Sequence, residues 1–304
     1  DDSSSLGDWY VNEEKLNGGL KHLVDEVNKL GLKFGIWFEP EMISPDSKLY
    51  EAHPDWAIQI PGREGSLCRN QYVLDLTRKE VRDYAYESVA SILRSANIEY
   101  VKWDMNRHLT DVGSMYFEPD RQGEITHRYV LGLYYIMDVL TSEFSEILFE
   151  SCSSGGGRFD PGMLYFAPQT WTSDDTDAAE REKIQYGTSF VYPIVSMGSH
   201  VSAVPNHQLH RTTPLSTRAN VAYFGTFGYE LDLNLLSDEE IEEVKAQVEF
   251  MKEHRDLIQV EGDFYRILSP FEGNDTAWMV VSRDKKHACH FFSDQYCQQT
   301  VNNS

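Results

Sequence analysis

Cysteine is scarce in this chain. Cys68, Cys152, Cys289 and Cys297 are the four in 304 residues, and no two form a CxxC pair. That is too few for a disulfide scaffold and points to a reducing, cytoplasmic setting. The sequons Asn274-Asp275-Thr276 and Asn302-Asn303-Ser304 are short enough to arise by chance and leave that reading in place. Basic residues are also short in supply, 27 Lys and Arg against 49 Asp and Glu, for a net charge of −22. An acidic chain repels phosphate, so nucleic acid and anionic membrane surfaces are poor partners, and a neutral small molecule such as a sugar suits it better. No stretch approaches the roughly 20 apolar residues of a membrane-spanning helix, and no signal-peptide pattern is present.

Familiar chemical motifs are missing as well. There is no HExxH, no GxSxG elbow, and neither a GxxxxGKS/T nor a GxGxxG phosphate loop. Asp175-Thr176-Asp177 invites a Ca²⁺ reading, but no Gly and Glu follow at EF-hand spacing. His287, Cys289, His290 and Cys297 lie in a β-alternating tail without the pair that zinc sites use. No metal and no organic cofactor is implied.

What is there alternates between strand and helix. Glu14 to Leu30 reads as an amphipathic helix stopped by Gly31, and Lys33 to Phe38 as a short buried strand. Gln71 to Leu76 reads as a strand, Lys79 to Ser95 as a helix, Ile98 to Trp103 as a strand and Gly123 to Phe144 as a helix. Further strands are expected at Ile147 to Ser151, Gln169 to Ser173, Tyr192 to Met197 and Ala222 to Phe227, with a helix from Ala178. Ser237 to His254 carries a capping box, Ser237 with Glu240. After Gln259 the period becomes two, as in antiparallel β structure. Seven β-α steps and a β tail predict a (β/α)8 barrel over residues 1–258, with its site at the C-terminal ends of the strands, and a partial antiparallel β domain over 259–304. Seven strands in place of eight, in a chain opening on Asp1-Asp2, place the first strand upstream of residue 1.

Polar residues cluster where that barrel puts its strand ends: Trp37 and Glu39, Asp75, Lys102 and Asp104, Glu150, Cys152 and Arg158, Trp171, Asp174 and Asp175, and His200. Carboxylates with flat aromatic rings suit carbohydrate chemistry, in which one carboxylate attacks and another protonates the leaving oxygen. Asp104 follows an apolar strand and has Lys102 and Arg107 nearby, so it is expected to stay ionised and serve as nucleophile; the alternative is a structural Asp–Arg pair. Asp174 has Asp175 and Asp177 beside it, and like charges favour protonation of one member, which suits the acid. Asp177 is the expected N-cap of the next helix.

The stretches KWDMNR, ESCSSGGGRFDPGM, QTWTSDDTDAAER, FGIWFEPEMISPDS, RNQYVLDL and MGSHVSAVPNHQ resemble the α-galactosidases of glycoside hydrolase family 36, the bacterial type above all, and the resemblance runs in order over nearly the whole chain. It implies a retaining exo-α-galactosidase acting on melibiose and raffinose-type oligosaccharides, with Asp104 as nucleophile and Asp174 as acid/base. It further implies a galactose pocket of Trp37, Arg69, Lys102, Cys152, Gly155, Arg158 and Trp171. In that pocket Cys152 and Trp171 border the 2-hydroxyl, which disfavours a 2-acetamido sugar. Retention implies catalytic carboxyls about 5–6 Å apart. Family members carry an N-terminal β-sandwich, an upstream strand and a longer C-terminal β domain that this chain lacks, so it reads as a fragment whose full-length form is expected to be a homo-oligomer. The alternatives are a galactosyl transferase of the raffinose or stachyose synthase type and an inactive truncated fragment.

Overall fold

The computed structural model describes residues 4–294; Cys297 and the Asn302 sequon lie outside them. The chain forms two compact units, Asp1–Pro168 and Gln169–Ser304.

The first unit is built on three parallel strands, and their neighbours in sequence explain the register. Helix α1 (Gly19–Lys29) leads into β1 (Gly35–Phe38), which continues into the short β2 (Met42–Ile43). Helix α2 (Lys48–Ala52) and β3 (Tyr72–Val73) precede α3 (Lys79–Ser95), β4 (Tyr100–Trp103), α4 (Ile125–Glu143), β5 (Leu148–Ser151) and α5 (Pro161–Phe166). β4 pairs in parallel with β1 on one side and β5 on the other, which aligns Trp37 with Lys102 and Lys102 with Glu150. Successive side chains on a strand face opposite ways. Trp37, Lys102 and Glu150 therefore share one face, while Phe38, Val101, Trp103 and Phe149 join the hydrophobic core on the other. Core positions on α3 (Val81, Ala85, Val89, Leu93) and α4 (Ile125, Tyr129, Leu133, Ile136, Leu140) recur at helical spacing, so each helix turns one apolar stripe inward.

Contact between α4 and the chain before α3 leaves no room for a side chain at Gly132, where a Cβ would sit 2.1 Å from the carbonyl oxygen of Leu76. Gly132→Ala is expected to cost about 1–3 kcal/mol through forced displacement of the helix. Denaturant titration checks this, and an unmoved midpoint would show that α4 shifts freely.

The second unit repeats the parallel theme with β6 (Gln169–Trp171), β7 (Met197–Ser202) and β8 (Thr226–Glu230), interleaved with α6 (Ala178–Thr188) and α7 (Leu215–Ala222). Helix α8 (Asp238–Arg255) follows, and its capping box is present. β9 (Gly262–Leu268), β10 (Asp275–Ser282) and β11 (Ala288–Asp294) then form an antiparallel sheet in the order β11-β10-β9. Trp278 on β10 anchors that sheet, stacked at 4.5 Å on Phe291 of β11. Among the described residues no helix is long and apolar enough to cross a membrane.

Four expectations change. The Gln71 to Leu76 run is no parallel strand: only Tyr72 and Val73 pair, antiparallel to Met42 and Ile43, and β1 meets β4 directly. Each unit therefore carries three parallel strands among its described residues, not the seven in total that the sequence implied. Leu74 and Leu76 are apolar because they are buried in the core, not because they lie in the sheet. The strand expected over Tyr192 to Met197 starts only at Met197, since Pro193 opens a 3₁₀ turn over Ile194–Ser196. Ala222 ends α7 instead of opening a strand, and β8 begins at Thr226. Helix α1 starts at Gly19, because Gly18 and Gly19 hold φ of +89° and +80°.

Candidate active site

The candidate residues fall on both units. In the first unit, β4 ends at Trp103 and the next residue is Asp104, 6% exposed. The same alternation carries Glu39, Asp104 and Cys152 beyond the strand ends, in phase with Trp37, Lys102 and Glu150. Asp104 Oδ2 accepts from Trp37 Nε1 at 3.0 Å and from Asn106 Nδ2 at 2.8 Å, and Oδ1 accepts from the Met105 N–H at 2.8 Å. The Asp104 carboxylate thus receives three N–H donors, which fix its orientation.

The cations expected around Asp104 are placed otherwise. Arg107 points away and donates to the carbonyls of Ser66 and Gln71, so no Asp104–Arg107 pair forms. Lys102 pairs with Glu150 at 3.2 Å. Burial pulls the Lys102 ammonium down, but Glu150, Cys152 and, more weakly, Asp104 together leave it above its usual range. Glu150, 2% exposed, also accepts from Tyr100 Oη, whose hydroxyl is raised by burial first and by Glu150 next.

Cys152 follows β5, and burial with the nearby Asp104 charge pushes its thiol up to about 12, so it is a neutral, compact wall, not a nucleophile. The loop after it turns at Ser154 and Gly155, with φ of +45° and +86°, and Ser153 Oγ donates to the Met105 carbonyl at 2.9 Å. Arg158 bonds to Glu41 and not to Asp104. Its Nη1 donates to Glu41 at 2.8 and 3.0 Å and approaches the Met105 sulfur at 3.3 Å, while Nε and Nη2 are buried without a hydrogen-bond partner. Arg69 is exposed at the tip of a tight turn in which Arg69 and Asn70 both have positive φ. Asp75, fully buried, spends its carboxylate on Thr77 and Ser114. A cavity of about 540 Å³ opens on the α4 side of Asn106 and Arg158, but Asp104 does not line it.

In the second unit Trp171 ends β6 beside Gly198, where a Cβ would meet its ring at 2.8 Å. The guanidinium of Arg181 lies 4.9 Å from the Trp171 ring and the His200 ring lies 4.7 Å away. Burial brings Arg181 down to about 10, and the nearby Glu230 and Asp175 charges only partly offset this. Asp174 is exposed on the loop between β6 and α6. Asp177 caps α6 through the N–H groups of Ala179 and Glu180 and pairs with Arg211, the capping role the sequence assigned to it. Glu41, Asn106, Tyr129 and Arg181 were not singled out by sequence. Glu41 had a visible signal, an acidic residue beyond an apolar strand in Glu39-Pro40-Glu41, whereas Tyr129 lies 88 residues from its partner.

Among the described residues no group of three or more His, Cys, Asp or Glu could hold a metal ion. Cys289 and His290 are adjacent on β11 and face opposite ways, so the two cannot both join one zinc site.

The melibiase family model matches residues 1–261. The α-galactosidase AgaA of Geobacillus stearothermophilus is 60% identical over 95% of this chain, and α-galactosidase 1 of Pediococcus pentosaceus is 54% identical over 95%. The chain spans 39% of the length of each of these relatives. The crystal structure of AgaA covers 96% of this chain and 40% of its own, with a TM-score of 0.94 and 59% identity. AgaA variants have been solved in complex with raffinose and with stachyose.

Proposed function

Because this chain belongs to the melibiase family, glycoside hydrolase family 36, we propose that it supplies the catalytic segment of a retaining exo-α-galactosidase that removes terminal α-D-galactosyl residues from raffinose-type oligosaccharides. The observation that carries this reading is Asp104 at the end of β4, its carboxylate held by Trp37, Met105 and Asn106 in phase with the Lys102–Glu150 pair. Asp104 attacks the anomeric carbon, and Asp174 gives its proton to the departing oxygen. Asp174 then takes a proton from water, which cleaves the galactosyl ester.

Trp37, Arg69, Lys102, Cys152, Gly155 and Trp171 line the galactose pocket in this reading, and Arg158 serves it from below by fixing the Cys152 loop to Glu41. The catalytic domain is a (β/α)8 barrel, residues 1–258 contributing to it and 259–304 to the C-terminal β domain. The full-length protein works without a cofactor on a small galactoside, in the cytoplasm, as a homo-oligomer. Raffinose and stachyose bound to AgaA variants favour this substrate class.

Proton NMR during hydrolysis of p-nitrophenyl α-D-galactopyranoside tests the proposal. α-Galactose is expected as the first product. β-Galactose first would replace double displacement with inversion, a dominant trisaccharide at high sucrose would make the protein a transferase, and no nitrophenol release would overturn the hydrolase reading of this chain.

A further inference from the structure

We propose that Glu39 is a positioning residue for Asp104, acting through Asn106 to leave Oδ1 as the attacking oxygen. The inference rests on the reading of Asp104 as nucleophile. Glu39 follows β1 and is 2% exposed. Its Oε1 accepts the Asn106 backbone N–H at 2.8 Å, and its Oε2 lies 3.5 Å from Gln71 Nε2. Asn106 in turn donates from Nδ2 to Asp104 Oδ2 at 2.8 Å and accepts at Oδ1 from Ser154 Oγ at 3.3 Å. One asparagine thus joins the loop after β1, the nucleophile and the Cys152 loop.

The consequence lies in the lone pairs. Each carboxylate oxygen has about two acceptor sites. Asp104 Oδ2 takes two N–H donors, Trp37 Nε1 and Asn106 Nδ2, while Oδ1 takes one, the Met105 N–H; the Cys152 thiol, a weak donor, is the other group that reaches the carboxylate. The remaining lone pair on Oδ1 forms the bond to the anomeric carbon as the glycosidic C–O bond breaks, and the departing oxygen takes the proton of Asp174. If Asn106 swung away, Oδ2 would regain a free site and the carboxylate would lose its fixed aim.

A carboxylate at position 39 grips an N–H more tightly than a neutral amide does. Burial pushes the Glu39 acid above its usual range; the Asn106 hydrogen bonds pull it partly back, Asp104 pushes it further and Arg69 lowers it slightly. Asp104 and Arg69 are the charged groups acting on it. As pH falls through that raised value the grip on Asn106 weakens, so Glu39 controls the acid limb of kcat.

Glu39→Gln keeps a neutral acceptor for Asn106. It should lower kcat about tenfold with KM unchanged, and Glu39→Ala about a hundredfold, in line with a charge-assisted hydrogen bond weakened and then lost. In Glu39→Gln the acid limb should move to lower pH; an unmoved limb, or a change confined to KM, would overturn the proposal. Nitrogen NMR gives a readout independent of turnover. The backbone and side-chain amides of Asn106 should titrate together in the unmodified protein and neither should do so in Glu39→Gln; a side-chain amide that ignores the titration would overturn the relay. Azide added to Asp104→Gly separates the two readings. Formation of β-galactosyl azide supports Asp104 as nucleophile, while its absence overturns that role and with it the Oδ1 assignment, leaving the Glu39–Asn106 coupling to be judged on the resonances alone.

Discussion

Asp104→Ala should lower turnover of p-nitrophenyl α-D-galactopyranoside by about 10⁴- to 10⁶-fold, the scale seen when a covalent nucleophile is removed from an enzyme that acts as a unit. The reason is local. Removing the carboxylate deletes the atom that bonds to the sugar in the proposed mechanism and leaves Trp37 Nε1, Asn106 Nδ2 and the Met105 N–H without their acceptor. The strand itself has little cause to move, since Trp103 beside it is fully buried and bonded to Glu41 at 2.8 Å. Folding should survive and chemistry should not, so the thermal midpoint and the turnover are to be measured on the same preparation. Residual activity above about a tenth of the starting value would remove Asp104 from the nucleophile role, since no binding contribution alone accounts for retention on that scale.

Glu41→Leu should be the most destabilising single change in the first unit. Glu41 is fully buried, and its two oxygens receive Arg158 Nη1, Tyr129 Oη and Trp103 Nε1. Burial alone would drive the Arg158 guanidinium toward deprotonation, and the Glu41 charge and hydrogen bond, with smaller pushes from Tyr129 and Asp104, together reverse this. Removing Glu41 strands a cation whose side chain is 17% exposed, along with an indole N–H and a phenol. Breaking one side of a buried pair costs about 3–5 kcal/mol, whereas replacing both partners with apolar side chains of similar volume is often near neutral. Glu41→Leu/Arg158→Leu should therefore recover most of the loss, a coupling that a double-mutant cycle in denaturant measures directly. Additive losses would mean that the two groups do not stabilise each other.

The parts of the fold that could be read in advance are those whose period is set locally. Helix α3 spans Lys79–Ser95 as its apolar stripe implied, and α8 begins at its capping box. The β tail likewise announced itself through alternation. Burial imposed from outside the segment was misread. Gln71 to Leu76 looks like a barrel strand because Leu74 and Leu76 are apolar, yet that burial comes from the surrounding core. The reverse holds for β7, where MGSHVS carries too many small polar residues to signal a strand on its own. Asp104 stood out as a candidate because a carboxylate continuing an apolar strand needs a purpose. Its partners did not, since Arg107 turns to backbone carbonyls and the donors that replace it include Trp37, 67 residues away. Arg158 and Glu41 are 117 residues apart, and no local pattern pairs them.

Trp171 shows only 3% of its surface, with Arg181 and His200 already against its ring. So little free surface gives a ligand scarcely any area to bind, but it sets a hard limit on what fits beside it. In the proposed galactose pocket its effect on selectivity would therefore be that of a sieve. A broader substrate range would come from shrinking this ring, and the opening gained would be paid for in a loosened core around Arg181.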